Sequence, residues 1–211
     1  FQIPMVCPVC GSPAVREDTA DIKCVNLNCP AQLERLIGHF VGRGAMDIKG
    51  FGVVYVHDLI KEGYLTDVAD IFTLYHHREE LIEKGIVGKE KNTDKLLGTI
   101  EKAKENPPDR LLTGLGIANV GRSAAQVLMN HFGTVDALAA ASVEDMTAVD
   151  DIGPISAQCV YDYFRQPHNQ KVLEKLRSAG VNMTQKIVAP VGENLPLSGQ
   201  TVVITGTLPG L

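Results

Sequence analysis

Ile48-Lys49-Gly50-Phe51-Gly52 is an apolar–x–Gly–apolar–Gly turn, and Val53 to Ile60 behind it carries apolar residues at helical spacing. Two later stretches repeat the outline. One is Ile117-Ala118-Asn119-Val120-Gly121, followed by Arg122-Ser123-Ala124-Ala125; the other is Val149-Asp150-Asp151-Ile152-Gly153, followed by Pro154-Ile155-Ser156-Ala157. Asn119 and Asp151 stand where the first copy has Gly50, and both residue types accept φ > 0 better than most. A degenerate copy, Ile86-Val87-Gly88-Lys89-Glu90-Lys91, falls between them and is expected to carry an insertion. Gly52, Gly88, Gly121 and Gly153 lie 36, 33 and 32 residues apart, a supersecondary period.

The repeat has a direct physical reading. Its apolar residues anchor the turn to a core, and its glycines permit φ > 0 and close approach of a ligand. The helix that follows starts with unpaired amide N–H groups at the positive end of its dipole. Such a start is an anion site that suits a phosphate. Tetratricopeptide-type solenoids have similar periods, but their aromatic and alanine pattern is missing here. Gly116 to Ser123 nearly matches a nucleotide-binding P-loop. Arg122 replaces its lysine, however, and Leu111 to Leu115 does not read as a buried parallel strand.

Outward from these turns the pattern stays helical. Apolar residues at 33, 36, 37, 40 and 41 define a helix face. Thr93–Ala103, Ser123–Phe132, Val135–Ala141, Val143–Val149, Ser156–Phe164 and Gln170–Ala179 read the same way. Thr66, Thr93 and Ser142 are the expected N-caps, and Pro107-Pro108 interrupts the array.

At the N-terminal end Cys7, Cys10, Cys24 and Cys29 are spaced C-x2-C-x13-C-x4-C, two short loops each able to offer two thiolates to one tetrahedral zinc. Val15-Arg16 and Ile22-Lys23 are the expected strands of a small hairpin between them, turning through Glu17 to Asp21. Four thiolates leave no open position, so this zinc is expected to be structural. A disulfide framework fits less well, because five cysteines is an odd count. Cys159 reads as a buried small hydrophobe in a helix, and the six histidines as surface or core residues.

The 211 residues suffice for one or two domains with small modules, and no apolar run is long enough for a membrane span. A soluble, intracellular chain is expected. Net charge is −5, which speaks against a basic nucleic-acid patch. Residues 76–112 hold eight basic and eight acidic groups, and 113–165 hold two against six. Any nucleic acid bound here must therefore be held largely by something other than lysine-rich surfaces, and backbone amides are the obvious candidate.

Taken together, the cysteine quartet and the four turns resemble the C-terminal half of the bacterial NAD+-dependent DNA ligase family. Phe1-Gln2-Ile3-Pro4 before Cys7-Pro8-Val9-Cys10-Gly11 is similar to that family's exit from an OB-fold domain. Cys29-Pro30-Ala31-Gln32, Met46-Asp47-Ile48-Lys49-Gly50, Leu115-Gly116-Ile117 and Val120-Gly121 are similar to family segments at matching places. Leu197 to Leu208 resembles the first strand of a BRCT domain.

The resemblance implies a mainly α fold: a zinc finger (1–33), a helix-hairpin-helix domain of four motifs (34–185), a linker (186–196) and a truncated BRCT start (197–211). It implies a bacterial cytoplasmic enzyme that is adenylated by NAD+, passes AMP to a 5′-phosphate at a nick and seals it with the 3′-hydroxyl. No lysine of the chain begins the family's K-x-D-G motif, so these residues alone are expected to be inactive and not to bind NAD+.

What the resemblance assigns to them is sequence-independent, salt-sensitive grip on double-stranded DNA backbone across the minor groove near a nick, by a monomer. By position, the contacts fall on amides at Gly50, Gly52, Gly88, Lys89, Gly121, Arg122, Gly153 and Ile155. Side chains of Lys49, Lys89, Arg122 and Ser123 add to them. The first and third turns are expected to bind most strongly, since Asp150 and Asp151 flank the fourth. The competing readings are a non-enzymatic zinc and helix-hairpin-helix repair scaffold and a protein-interaction solenoid.

Overall fold

A computed structural model describes residues 5–16, 22–26 and 29–186. The expected turn Glu17–Asp21, nearly all of the linker and the BRCT-like stretch lie outside these residues. The expected small hairpin is present: β1 (Ala14–Arg16) pairs antiparallel with β2 (Ile22–Cys24), Val15 opposite Lys23. Val6 bridges to Pro13 beside it, so three short segments frame the cysteines.

From Pro30 to Ser178 the regular elements are all helices. α1 (Pro30–Val41) and α2 (Val53–Lys61) pack together across the first hairpin. A 3-10 helix (Val68–His77) leads directly into α3 (Arg78–Lys84), which pairs with α4 (Glu90–Ala103). α5 (Pro108–Gly114) pairs with α6 (Arg122–Phe132), and α7 (Val135–Ala140) follows. α8 (Val143–Thr147) pairs with α9 (Pro154–Arg165), and α10 (Pro167–Ser178) packs against α9 and the 3-10 helix. The described residues thus contain four helix-hairpin-helix units.

One continuous apolar cluster runs through all four, from Ile37 to Val181. At its centre Phe40 meets Phe72 edge-on, with ring centroids 6.0 Å apart. α1 approaches α5 closely there because Gly114 has no side chain: a Cβ would stand 2.9 Å from the Phe40 ring. Two polar side chains fix the loop before the first hairpin. Asn106 Nδ2 donates to the Met46 carbonyl at 2.7 Å, and Arg110 Nη1 to that of Ala45 at 2.7 Å.

Some local details depart from the sequence reading. Ser142 caps α8 as expected, but the cap near Thr66 is Asp67, and Thr93 is buried inside α4, which starts at Glu90. The second hairpin has no insertion. Its five-residue link, 85–89, is the shortest of the four because Gly85 ends α3 in the left-handed region at φ 66°. Leu111–Leu115, doubted as a strand, lies in and just after α5.

Candidate metal centre and nucleic-acid interface

The four cysteine sulfurs converge, all lying within 4.8 Å of one another. Cys7 and Cys29 are 3.9 Å apart, and Cys10 and Cys24 are 3.5 Å apart. A tetrahedron of thiolates at zinc–sulfur distances of about 2.3 Å has edges of roughly 3.8 Å, so the quartet fits that ion. Gly11 at φ 71° turns the first loop, and the Cys7 amide donates to the Ser12 carbonyl at 2.8 Å. Cys29 is fully buried and is also the N-cap residue of α1, its carbonyl accepting from Gln32 and Leu33 at 3.0 Å.

The Cys10 and Cys24 thiols are unequally disposed to ionise. Hydrogen bonds from Ser12, side chain and amide, draw Cys10 down to about 6. At Cys24 the Asn26 amide pulls the same way, but burial and the neighbouring Cys10 and Cys7 sulfurs outweigh it and push the thiol up to about 11. One thiolate forms readily and the next resists. A divalent ion removes that conflict.

The hairpins share a more detailed geometry than the sequence suggested. In the first, third and fourth, the second apolar residue donates its amide to the first: Phe51 to Ile48 at 3.2 Å, Val120 to Ile117 at 3.1 Å, Ile152 to Val149 at 3.2 Å. All six of these residues are buried. The residue before the plug is left-handed in each: Gly50 at φ 85°, Asn119 at 60° and Asp151 at 66°. The tolerance expected of Asn and Asp is realised.

The glycine after the plug behaves differently from expectation. Gly52, Gly121 and Gly153 are extended, with φ of −76°, −88° and −79°, so any residue could adopt their conformation. Nothing lies within 4 Å of where their Cβ would be. Neither the backbone nor the packing of the fold requires glycine at these three sites.

Each is the N-cap of the following helix, and none supplies a side-chain cap. Helical bonding starts only at Val56, Ala125 and Ala157, each donating to the cap carbonyl four residues back. The preceding amides have no carbonyl of their own helix to take. Gly52, Gly121 and Gly153 are solvent-exposed, as are Lys49, Arg122, Ser123 and Ile155.

The second hairpin is built otherwise. Its turn bond runs from the Gly88 amide to the Gly85 carbonyl at 3.1 Å, and Lys89 is the N-cap. Gly88 is at φ 102° and only half exposed, and a Cβ there would meet Asn92 Nδ2 at 3.1 Å. Glu90 follows immediately and is tied to Arg78 at 2.9 Å. Asp94 grips the same guanidinium at 2.7 and 3.0 Å. An acidic group therefore stands at the start of α4.

Cross-ties that periodicity could not reveal bring hairpins together in pairs. Thr99 Oγ1 on α4 donates to the Lys49 carbonyl at 3.0 Å, joining the first hairpin to the second unit. Ser156 Oγ on α9 donates to the Asn119 carbonyl at 3.1 Å, joining the third to the fourth. Val53 and Val54 were also missed. Val53 lies three residues before buried Val56, so helical spacing assigns it to the core, yet the first turn of α2 projects beyond the core.

Comparison with known proteins adds two family matches and two relatives. Residues 6–31 match the family described as NAD-dependent DNA ligase C4 zinc finger domain, and residues 110–173 match the helix-hairpin-helix motif. The chain is 45% identical over 210 residues to a DNA ligase of Clostridium kluyveri, covering 99% of this chain and 32% of that protein. It is 46% identical over 210 residues to a DNA ligase of Brevibacillus brevis, covering 99% and 31%. It therefore spans about a third of the length of the relatives it matches.

Proposed function

We propose that this chain, which carries the C4 zinc finger of the NAD-dependent DNA ligases together with their similarity along its length, is the part of such a ligase that holds duplex DNA. The observation that carries the reading is the glycine at three helix starts where the fold asks for none. Gly52, Gly121 and Gly153 leave exposed amides uncapped and leave open the space a side chain would fill. A backbone phosphate fits both properties.

Phosphate oxygens accept from the amides that open α2, α6 and α9, and Lys49, Arg122 and Ser123 add side-chain donors beside them. Lys89 and the Gly88 amide contribute less, because that amide already donates to the Gly85 carbonyl and Glu90 opposes an anion beside it. Such contacts position a duplex without reading its bases. A net-negative protein can bind a polyanion this way because amides carry the attraction. Zinc would neutralise the Cys7, Cys10, Cys24 and Cys29 thiolates and hold the N-terminal module closed against α1. No lysine of the chain opens a K-x-D-G motif, so the NAD+ step belongs to other parts of the parent enzyme. The chain acts as a monomer, in the bacterial cytoplasm, near nicks.

The test is titration of the zinc-loaded chain with fluorescent nicked duplex at rising salt. Binding that weakens linearly in log salt, independent of sequence, is expected, with a slope of about −0.9 for each phosphate neutralised. Absence of binding at low salt overturns the reading. Cys24→Ser should abolish zinc loading and expose the N-terminal module to protease while α2–α10 keep their helicity.

A further inference from the structure

Large apolar side chains are exposed at few places between Cys29 and Lys186. They are Val53 and Val54 at 69%, Ile155 at 70% and Tyr75 at 52%. Three of these four occupy the first two positions of a helix that follows a hairpin glycine. Local chemistry does not favour them there. β-branched residues lower helix propensity, and acidic residues would suit the dipole better. Nor do they gain burial within the chain.

Their direction links them to the amides. A helical side chain covers the surface over the turn N-terminal to its own Cα, so first-turn residues overhang the helix start. Any anion held at the α2 or α9 amides has these aliphatic groups as neighbours. In the third hairpin the same two positions hold Arg122 and Ser123. Of the three helices that follow an extended hairpin glycine, one therefore starts polar and two start apolar. A nucleic-acid backbone alternates in the same manner, with a charged phosphate and then a sugar.

We propose that Val53, Val54 and Ile155 pack on the sugars next to the phosphates bound at α2 and α9, and so make the array favour deoxyribose over ribose. This rests on phosphate binding at those helix starts. A C2′ methylene can lie against valine or isoleucine without loss, whereas a 2′-hydroxyl there gives up water and finds no partner. An aliphatic surface rejects an added hydroxyl only moderately, so the preference from these contacts is on the order of tenfold.

The experiment compares the zinc-loaded 211-residue chain with V53S/V54S/I155S on DNA and RNA duplexes of one sequence, each over a salt series. The triple variant is expected to bind DNA roughly tenfold more weakly, as fits the loss of a few buried methyl groups. Its RNA affinity should hold or rise, with an unchanged salt slope on DNA. V53I/V54I/I155V, which stays aliphatic, should keep the preference and shows that any loss in the serine variant is chemical. Undiminished DNA affinity in the serine variant overturns the inference, as does an equal loss on both duplexes or a reduced salt slope. Failure of the unaltered chain to bind any DNA overturns the phosphate reading itself.

Discussion

Six of the described helices start in two contrasting ways. The 3-10 helix, α7 and α8 are closed by side chains: Asp67 accepts from Ala69 and Asp70, Thr134 from Ala137, and Ser142 from Asp145. α2, α6 and α9 are left open by Gly52, Gly121 and Gly153. Both groups face the same physical problem, a first turn of amides without carbonyls. The first group solves it inside the molecule. The second leaves those amides open at the surface, which is the condition that the proposed phosphate contacts require.

Gly121→Asp should give the largest effect. Aspartate is a good N-cap, and nothing occupies the space its side chain needs, so stability should hold or rise by a few tenths of a kcal/mol. DNA affinity should fall on the order of a hundredfold, as a carboxylate occupies the amides and repels phosphate. A thermal melt and a duplex titration on one preparation measure both. A parallel loss of stability and binding would erase the distinction.

Asp70→Asn probes the closed group. Burial raises the Asp70 carboxyl, but hydrogen bonds from Lys175 and Thr66 outweigh it and hold the group below its ordinary value. Lys175 reaches Asp67 at 2.6 Å and Asp70 at 2.8 Å, tying α10 to the start of the 3-10 helix. With its folded pKa depressed, Asp70 stabilises the protein above about pH 4 and loses that contribution as pH falls further. The variant should be less stable at pH 7, by about 1 kcal/mol or less given the solvent around the pair. The gap should narrow in melts taken below pH 4, with DNA binding at neutral pH unchanged.

The smallest effects come from exchanging the two kinds of cap. Ser142→Gly should cost only a few tenths of a kcal/mol and leave binding alone. Gly153→Ser should gain about as much in stability while weakening DNA modestly, because a hydroxyl competes for the same amide.

Much of this was legible in the sequence, for identifiable reasons. Cysteine spacing specifies the metal quartet because short loops restrict where thiolates can go, and the sulfurs do converge. The first, third and fourth hairpins were readable because Phe51, Val120 and Ile152 must be buried between residues that must not be. The 3-10 helix was not readable. Its buried residues, Val68, Ile71 and Leu74 with Ala69 and Phe72, repeat every three residues, a spacing that a short stretch does not separate from the 3.6 period of an α-helix. α3 and α5, seven residues each, are too short to show a face. The role of the cap glycines was also hidden, since composition cannot tell a glycine needed for φ from one needed for space. Only their extended backbones and empty surroundings make that distinction.

Cys29 is at once a member of the sulfur quartet and the residue on which α1 begins. A helix advances 1.5 Å and turns about 100° with each residue, so this coincidence sets a phase as well as a position. Substitutions along α1 leave that phase intact. One residue added between Cys29 and Phe40 would swing the first hairpin a quarter-turn or more around the axis while every cysteine stayed in place. Length sets the phase of this stretch, and Ile37 and Phe40 can reach the core only because that phase is right.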